Sequence, residues 1–191
     1  FKINEENKLN DYLSSRKIGS NDWVYFHNKN PNFNFEIKDY NNLKDTKFAS
    51  LFTNVVWDAQ LFFDQNIFDD MLDWLFQTIQ YFIDQNKTLV VRAHPAEING
   101  TLPSKQKIFD EIKKKFGELP KNIVFISPED PTSSYSIIEK SKFCIVYGST
   151  IGTEIAAMGK NVLVGGEAWI KNKDISFDPK SRKEYFDLIS K

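Results

Sequence analysis

From Phe48 onward, short apolar runs rich in β-branched residues alternate with longer amphipathic stretches. The short runs predict strands, and the stretches in which apolar residues recur every three to four positions predict helices. The predicted strands are 48–57 (with a turn), 88–94, 122–127, 143–148 and 161–166. The predicted helices that follow them are 68–85, 104–117, 133–141, 153–159 and 181–190.

This alternation predicts an α/β fold with a parallel sheet. The predicted strands are apolar along their whole length, which is typical of strands that helices cover on both faces. We therefore expect a Rossmann-like, doubly wound parallel sheet. Right-handed crossovers bring the carboxyl ends of such strands to one edge, and ligands bind there, where the strand order reverses.

Residues 1–47 have a different texture, since they are rich in Asn, Lys and Asp and show weak periodicity. This pattern predicts a helix over 4–16 followed by an irregular connector. The expected organisation is an N-terminal extension, 1–47, and a Rossmann-like domain, 48–191. Because the chain begins with Phe1 rather than Met, we interpret it as a piece of a longer protein.

Composition and charge argue against several classes of partner. The formal net charge is -1, and the basic run 113–115 lies in a predicted helix, so no nucleic-acid partner is expected. The single cysteine, Cys144, leaves no disulfide framework and no cysteine-based zinc site. Two histidines without an HExxH motif give no metal site, and no apolar run reaches the ~18 residues of a transmembrane helix.

The first group of candidate site residues follows the predicted strand 88–94. Arg92 and His94 are two positions apart, so their side chains share one side of an extended segment. Pro95 keeps His94 extended and ends the strand, and Glu97 follows in the same turn. An imidazole held at this edge can donate to a phosphate oxygen or reach a leaving group. The alternative is that His94 only packs against the turn.

The second group runs from a predicted strand into a helix. Its glycines allow close backbone approach, and its hydroxyls stand beside the N–H groups of a helix N-terminus, a combination that binds phosphate. The residues are Gly148, Ser149, Thr150, Gly152, Thr153 and Glu154. Glu154 could accept two ribose hydroxyls. The alternative is a plain helix start that Thr153 caps. The segment matches neither the GxGxxG fingerprint nor the Walker loop, which disfavours NAD and ATP.

A third group, Gly165-Gly166-Glu167-Ala168-Trp169, follows the last predicted strand. Two glycines before an acid and an aromatic residue suit a loop that borders a ligand, and Glu167 is its candidate site residue. Trp169 can equally be a packing residue. Thr53-Asn54 and Trp57-Asp58, after the first strand, are weaker candidates.

Four segments together resemble the capsule polysaccharide biosynthesis family, the Kdo-transferase-like proteins of the GT-B glycosyltransferase architecture. They are TNVVWDAQ (53–60), RAHPAEINGTLPS (92–104), VYGSTIGTEIAAMGKNV (146–162) and GGEAWI (165–170). The last two, in this order and spacing, are the more specific. The resemblance covers the chain from Phe48 to its C-terminus.

The resemblance implies the C-terminal, donor-binding half of a bacterial glycosyltransferase that builds capsule or other surface polysaccharide. Its substrate would be a CMP- or UDP-linked sugar, with no resident cofactor. His94-Pro95 and Ser149-Thr150 match the motifs that hold the nucleotide phosphate in CMP-sugar-using relatives, and Glu154 matches the ribose-binding acid. His94 is then the candidate catalytic residue.

In this family the glycan acceptor binds chiefly to an N-terminal half, and residues 1–47 are too short to form one. We therefore expect the acceptor-activating base to lie outside this chain, and this chain alone to be inactive. The expected location is the cytoplasm, with association at the inner face of the inner membrane left open. Two alternatives stay open: a sugar-nucleotide epimerase of GT-B plan, and a non-catalytic interaction domain.

Overall fold

Strands and helices alternate along the residues that the structure, a computed structural model, describes, namely 3–18, 31–40, 47–57, 63, 66–99 and 104–191. The strands are β1 (Ala49–Phe52), β2 (Leu89–Arg92), β3 (Ile123–Ile126), β4 (Phe143–Val146) and β5 (Val162–Val164). The α-helices are α1 (Ile3–Ile18), α2 (Met71–Asp84), α3 (Ala96–Asn99), α4 (Ile108–Phe116), α5 (Ser134–Lys140), α6 (Ile151–Ala157) and α7 (Arg182–Ser190). A short 3-10 helix spans Ile37–Asp39.

The five strands form one all-parallel sheet in the order β3-β2-β1-β4-β5. This confirms the predicted α/β, Rossmann-like fold. The strand order reverses beside β1, because β2 and β3 lie on one side of it and β4 and β5 on the other. The last residues of neighbouring strands are paired: Phe52 with Arg92 and Val146, and these with Ile126 and Val164. All five strands therefore end level at one edge.

Helices cover both faces of the sheet, because alternate strand residues point to opposite sides. On one face, Leu51 packs in a core with Trp74 of α2 and Tyr185 of α7. On the other face, Val90 packs with Ile137 of α5 and Ile155 of α6. The sheet is thus doubly wound, as its continuous apolar strands predict.

Side-chain caps set where several helices begin. The Asp70 carboxylate accepts from the N–H of Asp73 at the start of α2, so this helix begins later than the predicted residue 68. Ser133 and Ser181 cap α5 and α7 in the same way. Such caps satisfy N–H groups that have no partner within the helix.

Part of the predicted N-terminal extension packs against the Rossmann-like core. Phe35 and Ile37 are 1% and 3% exposed and belong to the same apolar cluster as Val90. The predicted helix over 4–16 corresponds to α1, whereas the boundary at residue 47 stays a prediction. None of the helices in the described part of the chain has the length and apolar character that a membrane crossing requires.

Candidate functional site

A cavity of about 100 Å³ opens at the level edge of the sheet, where the strand order reverses. Residues that follow β1, β2, β3 and β4 line it, together with two residues from the N-terminal segment. The lining consists of Arg16, Pro31, Phe52, Thr53, Arg92, Ala93, His94, Pro95, Pro131, Thr132, Ser133, Ser134, Tyr135, Ser149, Thr150, Ile151 and Glu154. Two of the three predicted groups thus reach one cavity.

His94 is held in place by one contact of its backbone and one contact of its imidazole ring. Its backbone N–H donates to Thr53 Oγ1 at 3.2 Å, and its Nδ1 accepts from the N–H of Ala96 at 3.0 Å. Because Nδ1 is an acceptor here, the neutral imidazole carries its proton on Nε2. This tautomer has an N–H donor on Nε2, the type of group that can bind a phosphate oxygen.

Arg92 places a buried cation beside the cavity. Its side chain is 4% exposed and donates to the carbonyl oxygens of Ser127 and Asp130, the latter at 3.2 Å. Its Nε has no hydrogen-bond partner among the described residues. Burial lowers the pKa of the guanidinium, while the negative charge of Asp130 opposes that shift. Arginine remains charged in proteins, so Arg92 both holds the loop after β3 and adds positive potential at the cavity.

The turn after β4 contributes two hydroxyls, because Ser149 and Thr150 both line the cavity. The alternative in which Thr153 caps the helix is wrong. Helix α6 begins at Ile151 with Thr150 at the N-cap position, and no side-chain hydrogen bond caps it. Thr153 therefore lies within the helix, where it is exposed and outside the cavity lining.

The two glycines of this turn, Gly148 and Gly152, are both buried. Gly148 is buried directly before the lining residues. A Cβ at Gly152 would lie 3.0 Å from Ile170 Cδ1 and 3.4 Å from Val146 Cγ2, so an alanine there would need these side chains to shift only slightly. Neither glycine is part of the cavity lining.

Glu154 lies in the cavity wall, is 4% exposed and already receives two donors. Its Oε1 accepts from Arg16 Nε at 2.9 Å, and its Oε2 accepts from the Tyr135 hydroxyl at 2.6 Å. A carboxylate has about four acceptor positions, so the carboxylate can still accept from a ligand hydroxyl. Both of its carboxylate oxygens nevertheless already accept a hydrogen bond from a side chain of this chain, Arg16 or Tyr135.

Glu97 and Glu167 do not line the cavity, although the backbone N–H of Glu97 donates to the carbonyl oxygen of His94 at 3.0 Å. Glu97 is 1% exposed, and its Oε1 accepts from the N–H of Ile108 at 2.9 Å, which caps α4. Burial is the main cause that raises the pKa of Glu97. Glu167 forms an ion pair with Lys171 at 3.3 Å.

Solved structures of larger proteins contain this fold. MnaA from S. aureus, solved with UDP, superposes with a TM-score of 0.56 and 17% identity over 87% of this chain and 41% of that chain. KpsC from Thermosulfurimonas dismutans, a β-Kdo 2,4 transferase, gives 0.50 and 15% over 74% and 40%. Its β-Kdo 2,7 transferase gives 0.49 and 21% over 73% and 40%. This is the fold of one half of a GT-B-type structure.

The chain spans about two fifths of the length of these proteins. No family profile and no curated protein sequence matches it. The likeness to these solved structures shows the fold alone, and the cavity lies at the strand-order reversal where such α/β sheets bind ligands.

The glycine pair after β5, Gly165 and Gly166, has a packing explanation. A Cβ at Gly165 would lie 2.2 Å from Trp74 Nε1, and a Cβ at Gly166 would lie 2.8 Å from the Tyr147 ring. The sequence pattern alone suggested a ligand loop. Buried aromatic side chains account for the same two glycines, while Trp169 is 81% exposed.

The weaker candidates after β1 differ in whether they line the cavity. Thr53 lines the cavity and supports His94. Asn54 is buried, and Trp57 is 56% exposed and donates to Ser104 Oγ at 3.1 Å. Asp58 lies outside the described residues.

Sequence reasoning missed the cavity wall that follows β3, formed by residues 131–135. The signal was present, because Pro131 and the run Thr132-Ser133-Ser134 directly follow a predicted strand and its short loop. The same search for polar residues at strand ends would have found it. Arg16 had no comparable signal, since its partner Glu154 lies 138 positions away.

Proposed function

We propose that this chain is the nucleotide-sugar-binding half of a bacterial GT-B glycosyltransferase that builds capsule or other surface polysaccharide. The observation that carries the proposal is the meeting of His94, Ser149 and Thr150 in one cavity at the strand-order reversal. The similarity to a structure solved with UDP supports a nucleotide as the ligand. The similarity to a Kdo transferase supports glycosyl transfer as the reaction.

The proposed chemistry concerns the phosphate that leaves the donor sugar. Negative charge grows on this phosphate as the glycosidic bond breaks, and donors aimed at it lower the barrier. The Nε2–H of His94 and the hydroxyls of Ser149 and Thr150 supply such donors. The buried guanidinium of Arg92 adds positive potential from behind.

The remaining parts of the enzyme belong to a second half that binds the glycan acceptor and supplies the base. This division follows from the two-half plan and from the length of chain compared, about two fifths of each solved relative. We propose that residues 48–191 form the donor half. We also propose that the enzyme works in the cytoplasm, with no resident cofactor.

The test is calorimetric titration of UDP and CMP into the wild-type chain and two variants of His94. In His94→Asn the side-chain oxygen takes the place of Nδ1 and keeps the bond from Ala96, while the Nε2 donor is lost. We expect at least tenfold weaker binding, since a hydrogen bond to a charged group contributes about 1.5–3 kcal/mol.

His94→Gln is the matched variant, because its amide nitrogen takes the place of Nε2 while the acceptor for Ala96 is lost. We expect nucleotide binding within a few fold of wild type but lower thermal stability. Thr153→Ala, outside the cavity lining, should bind like wild type. Equal binding by wild type and His94→Asn would remove His94 from the proposal, and no binding by wild type would favour a non-catalytic domain.

If nucleotides bind, product analysis on a protein that carries both halves separates transfer from the epimerase alternative. An epimerase converts the nucleotide sugar without an acceptor, whereas the proposed transferase consumes it only when an acceptor glycan is present. Conversion in the absence of acceptor would contradict the proposed transfer.

A further inference from the structure

The candidate cavity leaves little free space beside its polar residues. Its volume is about 100 Å³ and it is open to solvent, whereas pockets for small organic ligands measure roughly 300–1,000 Å³. A nucleotide sugar would gain room if one wall of the cavity moved. The wall that is least firmly packed identifies the moving part.

Several walls of the cavity belong to the buried core. Phe52, Arg92 and Ser133 are 3%, 4% and 7% exposed, so moving them would disturb the sheet edge or the start of α5. Helix α1 is different. Among its side chains at 4–16, Ser15 alone is buried, and the large apolar residues Leu9 and Tyr12 are 46% and 54% exposed. Helix α1 is thus a wall that can leave at a low cost in buried surface.

An ion pair ties α1 to the cavity. Arg16 Nε donates to Glu154 Oε1 at 2.9 Å, and the two side chains are 28% and 5% exposed. The Tyr135 hydroxyl holds the other carboxylate oxygen from the opposite side. Arg16 itself lines the cavity, so its side chain occupies space next to the carboxylate.

We propose that α1 is a gate over the nucleotide cavity and that the Arg16–Glu154 ion pair is its latch. This rests on the proposed function, because the gate regulates the same site. A nucleotide binds when Arg16 leaves Glu154 and α1 moves aside. The observed affinity is then the intrinsic affinity multiplied by the fraction of molecules in which the gate is open.

The direction in which one substitution changes nucleotide affinity distinguishes a gate from a direct ligand contact. Calorimetry with UDP and CMP on the full chain should show that Arg16→Ala binds about fivefold more tightly or better, in the range usual for coupled sites. Lys8→Ala, an exposed position on the same helix, is the matched control and should bind like wild type. If Arg16 contacted the phosphate instead, Arg16→Ala would bind more weakly.

Hydrogen exchange gives a second readout that needs no variant. In wild type, saturating UDP or CMP should speed exchange of the α1 amides, because binding releases the helix. Unchanged or slower exchange, or binding by Arg16→Ala no tighter than wild type, would overturn the gate and leave the proposed function standing. If neither wild type nor Arg16→Ala binds any nucleotide, the proposed function falls and the gate with it.

Discussion

Trp74 is fully buried in the core on one face of the sheet, and its Nε1 donates to the Tyr185 hydroxyl at 2.9 Å. The same hydroxyl lies 2.9 Å from Thr78 Oγ1. Gly165 gives the indole its space, since a Cβ there would lie 2.2 Å from Trp74 Nε1. A residue that the sequence placed in a ligand loop therefore supports a buried hydrogen-bond network.

Gly165→Ala should lower the free energy of unfolding. The added methyl group displaces Trp74 and so disrupts its hydrogen bond to the Tyr185 hydroxyl. Overpacking of this kind costs about 1–3 kcal/mol. Gly152→Ala is the matched control, since its Cβ meets the flexible end of Ile170 at 3.0 Å inside a helix. Urea unfolding measures the free energy of unfolding of both variants. A Gly165→Ala variant as stable as wild type would contradict the packing explanation.

The candidate site was predictable where polar residues directly follow strands. His94, Ser149 and Thr150 were found in this way and lie in one cavity. Glu97 and Glu167 satisfied the same criterion but lie elsewhere, because sequence position does not tell where a long side chain finds its partner. The packing partners of a glycine, such as Trp74 for Gly165, come from distant elements and leave no local signal.

At the scale of elements, α4 begins where another element caps it. The carboxylate of Glu97, at the start of α3, accepts from the N–H of Ile108 at 2.9 Å. No side chain at the N-cap position itself, Lys107, makes such a bond. The helix therefore begins at Ile108 rather than at the predicted residue 104.

Glu97 makes the stability of this cap depend on pH. Its pKa is raised above the ordinary 4.5, mainly by burial, so the folded state holds the proton more tightly than the unfolded state. The contribution of Glu97 to stability is therefore fully present below pH 4.5 and is lost as the pH rises through the folded-state pKa. Ionised Glu97 thus costs stability at neutral pH.

Glu97→Gln keeps an oxygen for the Ile108 N–H and does not ionise. Urea unfolding should show this variant to be more stable than wild type at pH 7, with the difference shrinking toward pH 4. Glu97→Ala loses the cap and should cost about 1 kcal/mol at pH 4, and less at pH 7, where it also removes the buried charge. A Glu97→Gln variant that is less stable than wild type at pH 7 would show that the buried charge does not destabilise the folded state.

The elements were predictable because their local patterns are strong, whereas their ends depend on caps. All five apolar runs became strands, and β1 stops at Phe52, directly before the polar pair Thr53-Asn54 within the predicted segment 48–57. Helix α6 starts two residues before the predicted 153, because Thr150 rather than Thr153 occupies the N-cap position. Such ends are settled by hydrogen bonds that a periodicity argument does not contain.

At the scale of the whole molecule, the level edge of the sheet follows from parallel strands, and the alternation of strands and helices predicts it. The contribution of the N-terminal segment did not follow from the sequence. Phe35 packs into the core, and Arg16 contacts Glu154 across 138 positions of chain. Contacts between residues so far apart in sequence depend on the folded arrangement. The weak local periodicity of residues 1–47 therefore did not predict them.

The central claim is that this sheet edge binds a nucleotide, and thermal unfolding of the wild-type chain with CMP, UDP, GDP and their sugars tests it most directly. A ligand present at a hundred times its dissociation constant adds about 2.7 kcal/mol to the free energy of unfolding. For a domain of this size, we expect a rise in Tm of roughly 5–10 °C with at least one nucleotide. An unchanged Tm across the whole panel at millimolar concentrations would contradict the claim.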